Sequence, residues 1–219
     1  MTIELIEYLS QFITSQRLNR IAEILSTRTR YLTVVLENIY HSYNASAVLR
    51  TCECFGIQDL YFIESLHKFK PARGIVLGAA NWINTHSYQD SFSCLQALKT
   101  QGYQIVATSL RPDSKLIEEI DITQKTALCF GNEESGIGEA IHQLADHQIY
   151  IPMYGFTQSL NISVSTGLTI YAFIKKIHQS SIAWQLTDEE KNKITLEWLM
   201  NSVPNSELLV TKFKSSLLK

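Results

Sequence analysis

The chain has 219 residues, 45% of them hydrophobic and 18% charged, with a formal net charge of -2. That length suits one domain with terminal additions, the apolar share can fill a single core, and the charge excludes a bulk polycation. No apolar run reaches membrane-spanning length, since Lys175 and Lys176 interrupt the longest candidate, and Glu4 and Glu7 stand where a signal peptide needs positive charge; a soluble, cytoplasmic protein with no membrane partner is expected.

In chain order, residues 1–30 read as one or two helices. Between residues 16 and 30, Arg17, Arg20, Arg28 and Arg30 face only Glu23, a local patch of the kind that binds phosphates. "RYLTVVLENIY" is apolar and β-branched, a buried strand over residues 31–39. "NASAVLRTCECFG" follows as a helix, with Asn44 as its predicted N-cap, Val48, Cys52 and Phe55 at helical spacing, and Gly56 at the C-terminal cap. "IQDLYFIE" is the next strand. The loop "HKFKPAR" holds Lys68, Lys70 and Arg73 with no acid nearby, a second phosphate-binding candidate or simply a solvated loop.

A short strand is predicted over residues 82–87 and a helix over 91–101, capped by Asp90 and Gly102. "YQIVATS" and "TALCFGN" are two more strands, then come a helix over 138–145 and a last strand, "QIYIPM". "FTQSLNISVSTGLTIYAF" begins polar and continues as a buried helix, closing the domain. Residues 187–218 carry one or two further helices. The division expected is a helical extension over 1–30, a central domain over 31–178 and a second helical extension over 179–219. Strands that are continuous apolar runs, alternating with helices, predict an α/β fold: a mostly parallel sheet with helices on both faces. Ligands of such sheets sit beyond the carboxyl ends of the strands, which singles out residues 40–44, 108–112, 131–138 and 153–159.

Familiar nucleotide motifs fail there. "GNEESGIG" has the Gly131 and Gly136 spacing of a P-loop, but Ile137 and Gly138 replace the Lys and Ser/Thr, and Glu133 and Glu134 would repel phosphate. The first strand-to-helix turn has no glycine on which a dinucleotide pyrophosphate could dock. A ligand carrying adenosine without phosphate fits that absence, S-adenosylmethionine being the commonest. Metal is not expected: Cys52, Cys54, Cys94 and Cys129 fall in apolar segments, and neither they nor the six histidines show ligand spacing. The strand-end groups each have a bland alternative. Arg50 could pair with Glu53 on the helix surface, Glu133 could answer a helix dipole, and Ser159 or Asn161 could cap a helix, although one cap needs only one of them.

"NASAVLR", "CFGNEESGIG" and "IPMYGFTQSLNISVS", in this order, resemble the three signature motifs of the SpoU (TrmH) family, SPOUT-class RNA ribose 2'-O-methyltransferases, over roughly residues 31–175. The resemblance implies a C-terminal trefoil knot, an obligate homodimer and S-adenosylmethionine bound in the knot. It assigns Arg50 to catalysis, Asn44 to positioning it, and Glu133, Ser159 and Asn161 to the second and third motifs. Thr108, Ile151 and Leu160 match positions whose backbone lines the cofactor pocket, and Gly131 of the second motif is placed with them. Members of this size and arrangement resemble the tRNA enzyme that methylates guanosine 18 of the D-loop, which makes tRNA the implied partner. Tyr43 and the arginine-poor "IYAFIKKIHQ" depart from their pattern and bear on the RNA target. Ribosomal RNA methylation and a catalytically silent RNA-binding factor stand as alternatives, and Arg50 as either a base or a phosphate clamp.

Overall fold

The computed structural model describes residues 2–66, 68–76 and 78–216, Arg73 through its backbone alone. Its elements are α1 (Thr2–Ser10), α2 (Ser15–Ser26), β1 (Leu32–Glu37), α3 (Ser42–Cys54), β2 (Asp59–Ile63), α4 (Arg73–Val76), β3 (Asn84–Tyr88), α5 (Ser91–Thr100) and β4 (Tyr103–Thr108). After them come β5 (Lys115–Leu116), β6 (Lys125–Phe130), α6 (Glu139–Leu144), β7 (His147–Tyr150), α7 (Ile162–Gln179), α8 (Asp188–Ser202) and α9 (Ser206–Ser216). Two compact units result: Thr29–Trp184, and the described parts of residues 1–28 and 185–219. No helix of the described residues is long and apolar enough to cross a membrane.

The unit Thr29–Trp184 is a seven-stranded sheet in the order β3-β2-β1-β6-β4-β7-β5, every pairing parallel. Because side chains alternate along a strand, each central strand feeds two cores. Val34 and Leu36 of β1, Leu60 and Phe62 of β2 and Val106 of β4 join Val48, Leu49 and Cys52 of α3 and Ile170, Phe173 and Ile177 of α7. Val35, Tyr61, Ile63, Ile105 and Ala107 point the other way, onto Cys94, Leu95 and Leu98 of α5 and Ile141 of α6. Helices therefore cover both faces, and the continuous apolar runs follow from it.

Local chemistry sets the helix ends. Asp90 accepts from the Ser93 backbone N–H at 2.8 Å to start α5, and Gly102 ends it at φ 85°. Gly56 takes φ 75° after α3. Asn44 is not the α3 cap: the helix starts at Ser42 after His41, whose side chain makes no capping bond. Asn44 sits in the first turn, where its amide is used across the site instead.

In the other unit, α1 packs against α8 and α9, and α2 against α8. Leu5, Leu9, Ile21, Leu25, Ile194, Trp198 and Leu199 are buried. Thr187 and Glu190 form a reciprocal capping box that starts α8. Arg28 corrects an expectation: it is 0% exposed, its guanidinium 5.2 Å from the Trp198 ring centroid, and no phosphate can reach it. A planar, weakly hydrated cation lies well on an indole face.

Arg30 is a second correction. Its Nε donates to Asp59 at 2.7 Å, where β2 begins, at the opposite edge of the sheet from the strands' carboxyl ends. His86 lies 2.9 Å from the other Asp59 oxygen. Burial raises the Asp59 pKa, but His86 and Arg30 outweigh it and hold the carboxyl below its ordinary value. A depressed carboxyl contributes stability that is present above its unfolded pKa and lost as pH falls through the folded one. Asp59→Asn should therefore cost about 3–5 kcal/mol at pH 7, the penalty of breaking a buried pair. In urea titrations the gap from wild type should narrow as pH falls below the unfolded value of about 3.9. An equal gap at pH 7 and pH 3 would assign the loss to packing alone.

Candidate functional site

All seven parallel strands end on one side of the sheet, and the loops after β1, β4, β6 and β7 frame a cleft of about 940 Å³. Thr108, Gly131, Ile151 and Leu160 line it, as do Asn44, Glu133, Ser159 and Asn161. Eight of the residues singled out in the sequence thus meet in one place, drawn from the ends of β4, β6 and β7, from α3 and from the segment before α7.

The loop after β6 shows what its glycines do. A Cβ on Gly131 would stand 2.1 Å from the carbonyl carbon and oxygen of Gly136, so only glycine allows the chain to fold back there. Asn132 and Gly136 exchange both backbone hydrogen bonds at 2.9 Å, and Gly136 takes φ 70°. These glycines close the loop tightly and present Glu133; they do not cradle a phosphate.

Glu133 accepts from Asn44 Nδ2 at 2.7 Å on Oε1 and from the Tyr40 backbone N–H at 3.1 Å on Oε2. Asn161 Nδ2 donates to Asn44 Oδ1 at 3.2 Å. Asn161 Oδ1 accepts from the backbone N–H of Ser163 at 2.9 Å and from its hydroxyl at 2.6 Å, which caps α7. One chain of hydrogen bonds therefore joins all three motif segments, from Glu133 through Asn44 to the start of α7. Burial raises the Glu133 pKa, but the Asn44 amide and the backbone N–H groups of Glu133, Tyr40 and His41 outweigh it, and the carboxyl stays below its ordinary value.

The polar start of α7 divides its labour accordingly. Asn161 caps, Ser163 bonds to Asn161, and Ser165 and Thr166 return their hydroxyls to the Ile162 carbonyl at 3.0 and 2.7 Å. Ser159 lines the cleft with its hydroxyl in no hydrogen bond among the described residues.

Arg50 is exposed on α3, outside the lining of this cleft, and it holds no ion pair among the described residues. Lys68 and Lys70 are exposed and border, with Tyr40 and Glu64, a hollow of about 120 Å³ beside the first turn of α3. Arg17 and Arg20 are exposed on α2, Arg20 pairing with Glu23 at 2.7 Å. The Arg73 side chain lies outside the described residues.

Sequence reasoning passed over Asn38 and Asn132. Asn38 holds φ 50°, and its side chain accepts from Leu66 N at 2.8 Å while its carbonyl accepts from Asn132 Nδ2 at 2.7 Å. The signal was an asparagine directly after an apolar strand, where a left-handed turn residue belongs.

The SpoU rRNA Methylase family model matches residues 31–171. Over 201 residues the chain is 40% identical to a Borreliella burgdorferi protein named tRNA (guanosine(18)-2'-O)-methyltransferase, covering 92% of each. A Thermus thermophilus protein of the same name is 33% identical over 191 residues, 85% of this chain and 97% of its own length. Among solved structures, the A. aeolicus TrmH/SpoU tRNA modifying enzyme superposes with a TM-score of 0.79 at 36% identity, covering 86% of this chain and 97% of that one. With the three motifs hydrogen-bonded around one cleft and relatives this similar over nearly their whole length, the chain belongs to the SpoU rRNA Methylase family.

Proposed function

We propose that this protein transfers the methyl group of S-adenosylmethionine to the ribose 2'-hydroxyl of guanosine 18 in tRNA. The observation that carries the reading is the hydrogen-bonded chain Glu133–Asn44–Asn161 on the wall of the cleft. The names of the two relatives above supply the nucleotide. The cleft fits the donor: it offers no phosphate cradle, and the ionised Glu133 suits a cationic sulfonium better than a phosphate.

When bound, the donor supplies an already activated methyl group. What remains for the chain is orientation, which can contribute roughly 7–11 kcal/mol, and management of the hydroxyl proton. The Glu133–Asn44–Asn161 chain fixes the wall against which the ribose is placed, and Ser159 offers a hydroxyl with an open hydrogen-bonding site. Arg50 stabilises the developing alkoxide or clamps the adjacent phosphate, because a guanidinium is a strong cation and a poor proton acceptor.

Arg50 does not line the cleft of its own chain, so this reading includes a homodimer in which a second copy brings Arg50 to it. Support comes from α7, which exposes Val164, Leu168 and Tyr171 along one helical stripe. Tyr171 sits edge-on to Phe55, just beyond α3, at 6.3 Å, so α3 and α7 present one continuous face. The trefoil knot belongs to the same reading, supported by β7 lying between β4 and β5. Arg17, Arg20, Lys68 and Lys70 are the phosphate contacts it assigns.

Labelled donor supplied with bulk tRNA and with ribosomal RNA tests it, followed by mapping of the methylated nucleotide. Label should appear in tRNA alone, at guanosine 18. Label in ribosomal RNA alone would replace the substrate, and no transfer to either RNA would leave a binding factor. Calorimetry should give binding of S-adenosylhomocysteine and none of NAD or ATP.

A further inference from the structure

A carboxylate ends the most buried strand of the sheet. Glu37 is the last residue of β1, only 5% exposed, and the five residues before it are all buried. A buried charge is costly unless hydrogen bonds compensate it. The Ser91 hydroxyl donates to Glu37 Oε1 at 2.5 Å, and the Gly138 backbone N–H donates to Oε2 at 2.6 Å. The fit is close: a Cβ on Gly138 would stand 3.0 Å from Oε1 and 3.2 Å from Oε2.

We propose that Glu37 is a positioning residue for methyl transfer, its carboxylate locking the Gly131–Gly138 loop and through it Glu133 at the cleft wall. Glu37 itself does not line the cleft. The loop is held at both ends by consecutive residues of one strand end. Asn38 takes Asn132 through its carbonyl at 2.7 Å, and Glu37 takes Gly138. Glu133 lies between those anchors, as do Glu134, Ser135, Gly136 and Ile137, which line the cleft with it. Release of the Gly138 anchor frees one end of that segment, and a displacement near 1 Å can cost about 10²-fold in rate.

The proposal rests on the reading that the cleft holds the methyl donor, so wild-type binding of S-adenosylhomocysteine is measured first and separately. Glu37→Gln keeps an acceptor for Gly138 and offers an N–H to the Ser91 oxygen. Glu37→Met fills the same space and has no oxygen. In steady-state kinetics the Met variant should lose about 10²-fold in kcat, with a raised KM for the donor and weaker S-adenosylhomocysteine binding by its folded fraction. The Gln variant should stay near wild type. A purely structural role would lower the melting temperature of the Met variant yet leave the KM and product affinity of its folded fraction unchanged, and that result overturns the proposal. Should the Met variant fail to fold, Gly138→Ala crowds the same contact at an ordinary φ of -67°. It should raise the donor KM in the same direction, and wild-type kinetics in Gly138→Ala would likewise overturn the proposal. Wild-type protein that binds no S-adenosylhomocysteine would remove the site reading itself.

Discussion

Arg50→Ala should abolish methyl transfer to tRNA while leaving the melting temperature and the affinity for S-adenosylhomocysteine nearly unchanged. The physical ground is what Arg50 does not do. It is exposed on α3, holds no ion pair among the described residues and lies outside the cleft lining. Truncating such a side chain usually moves stability by no more than about 0.5 kcal/mol. Any large loss is then a loss of chemistry. Arg50→Lys divides the two roles. Lysine keeps the charge but not the bidentate fork, so a phosphate clamp should survive in part with an unshifted pH–rate profile. A base would instead show a profile displaced toward lower pH, because lysine releases its proton more readily than arginine. Mixing Arg50→Ala protomers with Ser159→Ala protomers tests the dimer reading: activity should reappear if one copy supplies Arg50 to the other's cleft. Full activity in Arg50→Ala alone would mean that the first motif has been misread.

The elements most legible in the sequence are those whose signals are local. β1, β2, β4 and β6 are runs of apolar residues, and burial on both faces is what such runs require. Asp90, Gly102 and Asn161 are caps, and a cap is a contact between near neighbours. Strand order was not legible, because β6 enters between β1 and β4 and β7 between β4 and β5, placements set by crossovers and not by composition. The strand β5 is two residues long and has no periodicity to read. Among the basic residues, type alone could not separate Arg17, which is exposed, from Arg28, which lies under Trp198, or from Arg30, which is committed to Asp59. Asn44 looked like a cap because it is an asparagine near a helix start, yet its amide bonds to Glu133, 89 residues away. Glu37 stood in plain view as a charge ending an apolar strand, and only the fold reveals its partner, 101 residues on.

Glu133→Gln should cost far more than the loss of one charge suggests, and a second substitution should restore most of it. The orientation of each amide in the network follows from its partners. Asn161 Oδ1 is committed to both donors of Ser163 at the α7 cap, so its Nδ2 must face Asn44. Asn44 therefore presents Oδ1 to Asn161 and Nδ2 to Glu133, which accepts from it and from the Tyr40 backbone N–H with its two oxygens. Glutamine has one oxygen for these two donors. Either Tyr40 or Asn44 then meets an N–H, and flipping Asn44 only moves the donor–donor clash to Asn161, which the cap holds still. An unsatisfied group of this kind costs about 1–3 kcal/mol. If the strain is relieved by moving the cleft wall, kcat should fall by about 10²-fold. Adding Asn44→Asp repairs the pattern. The aspartate accepts from the new glutamine amide and from Asn161 Nδ2, and the glutamine oxygen serves Tyr40. The charge has moved from residue 133 to residue 44, but every donor again faces an acceptor. In a double-mutant cycle the pair should show a coupling of about 0.5–3 kcal/mol in transition-state free energy, in the rescuing direction. Recovery in the double variant would establish the network as what the chemistry needs. A double variant as inactive as Glu133→Gln would instead show that the carboxylate must sit at residue 133, facing the sulfonium.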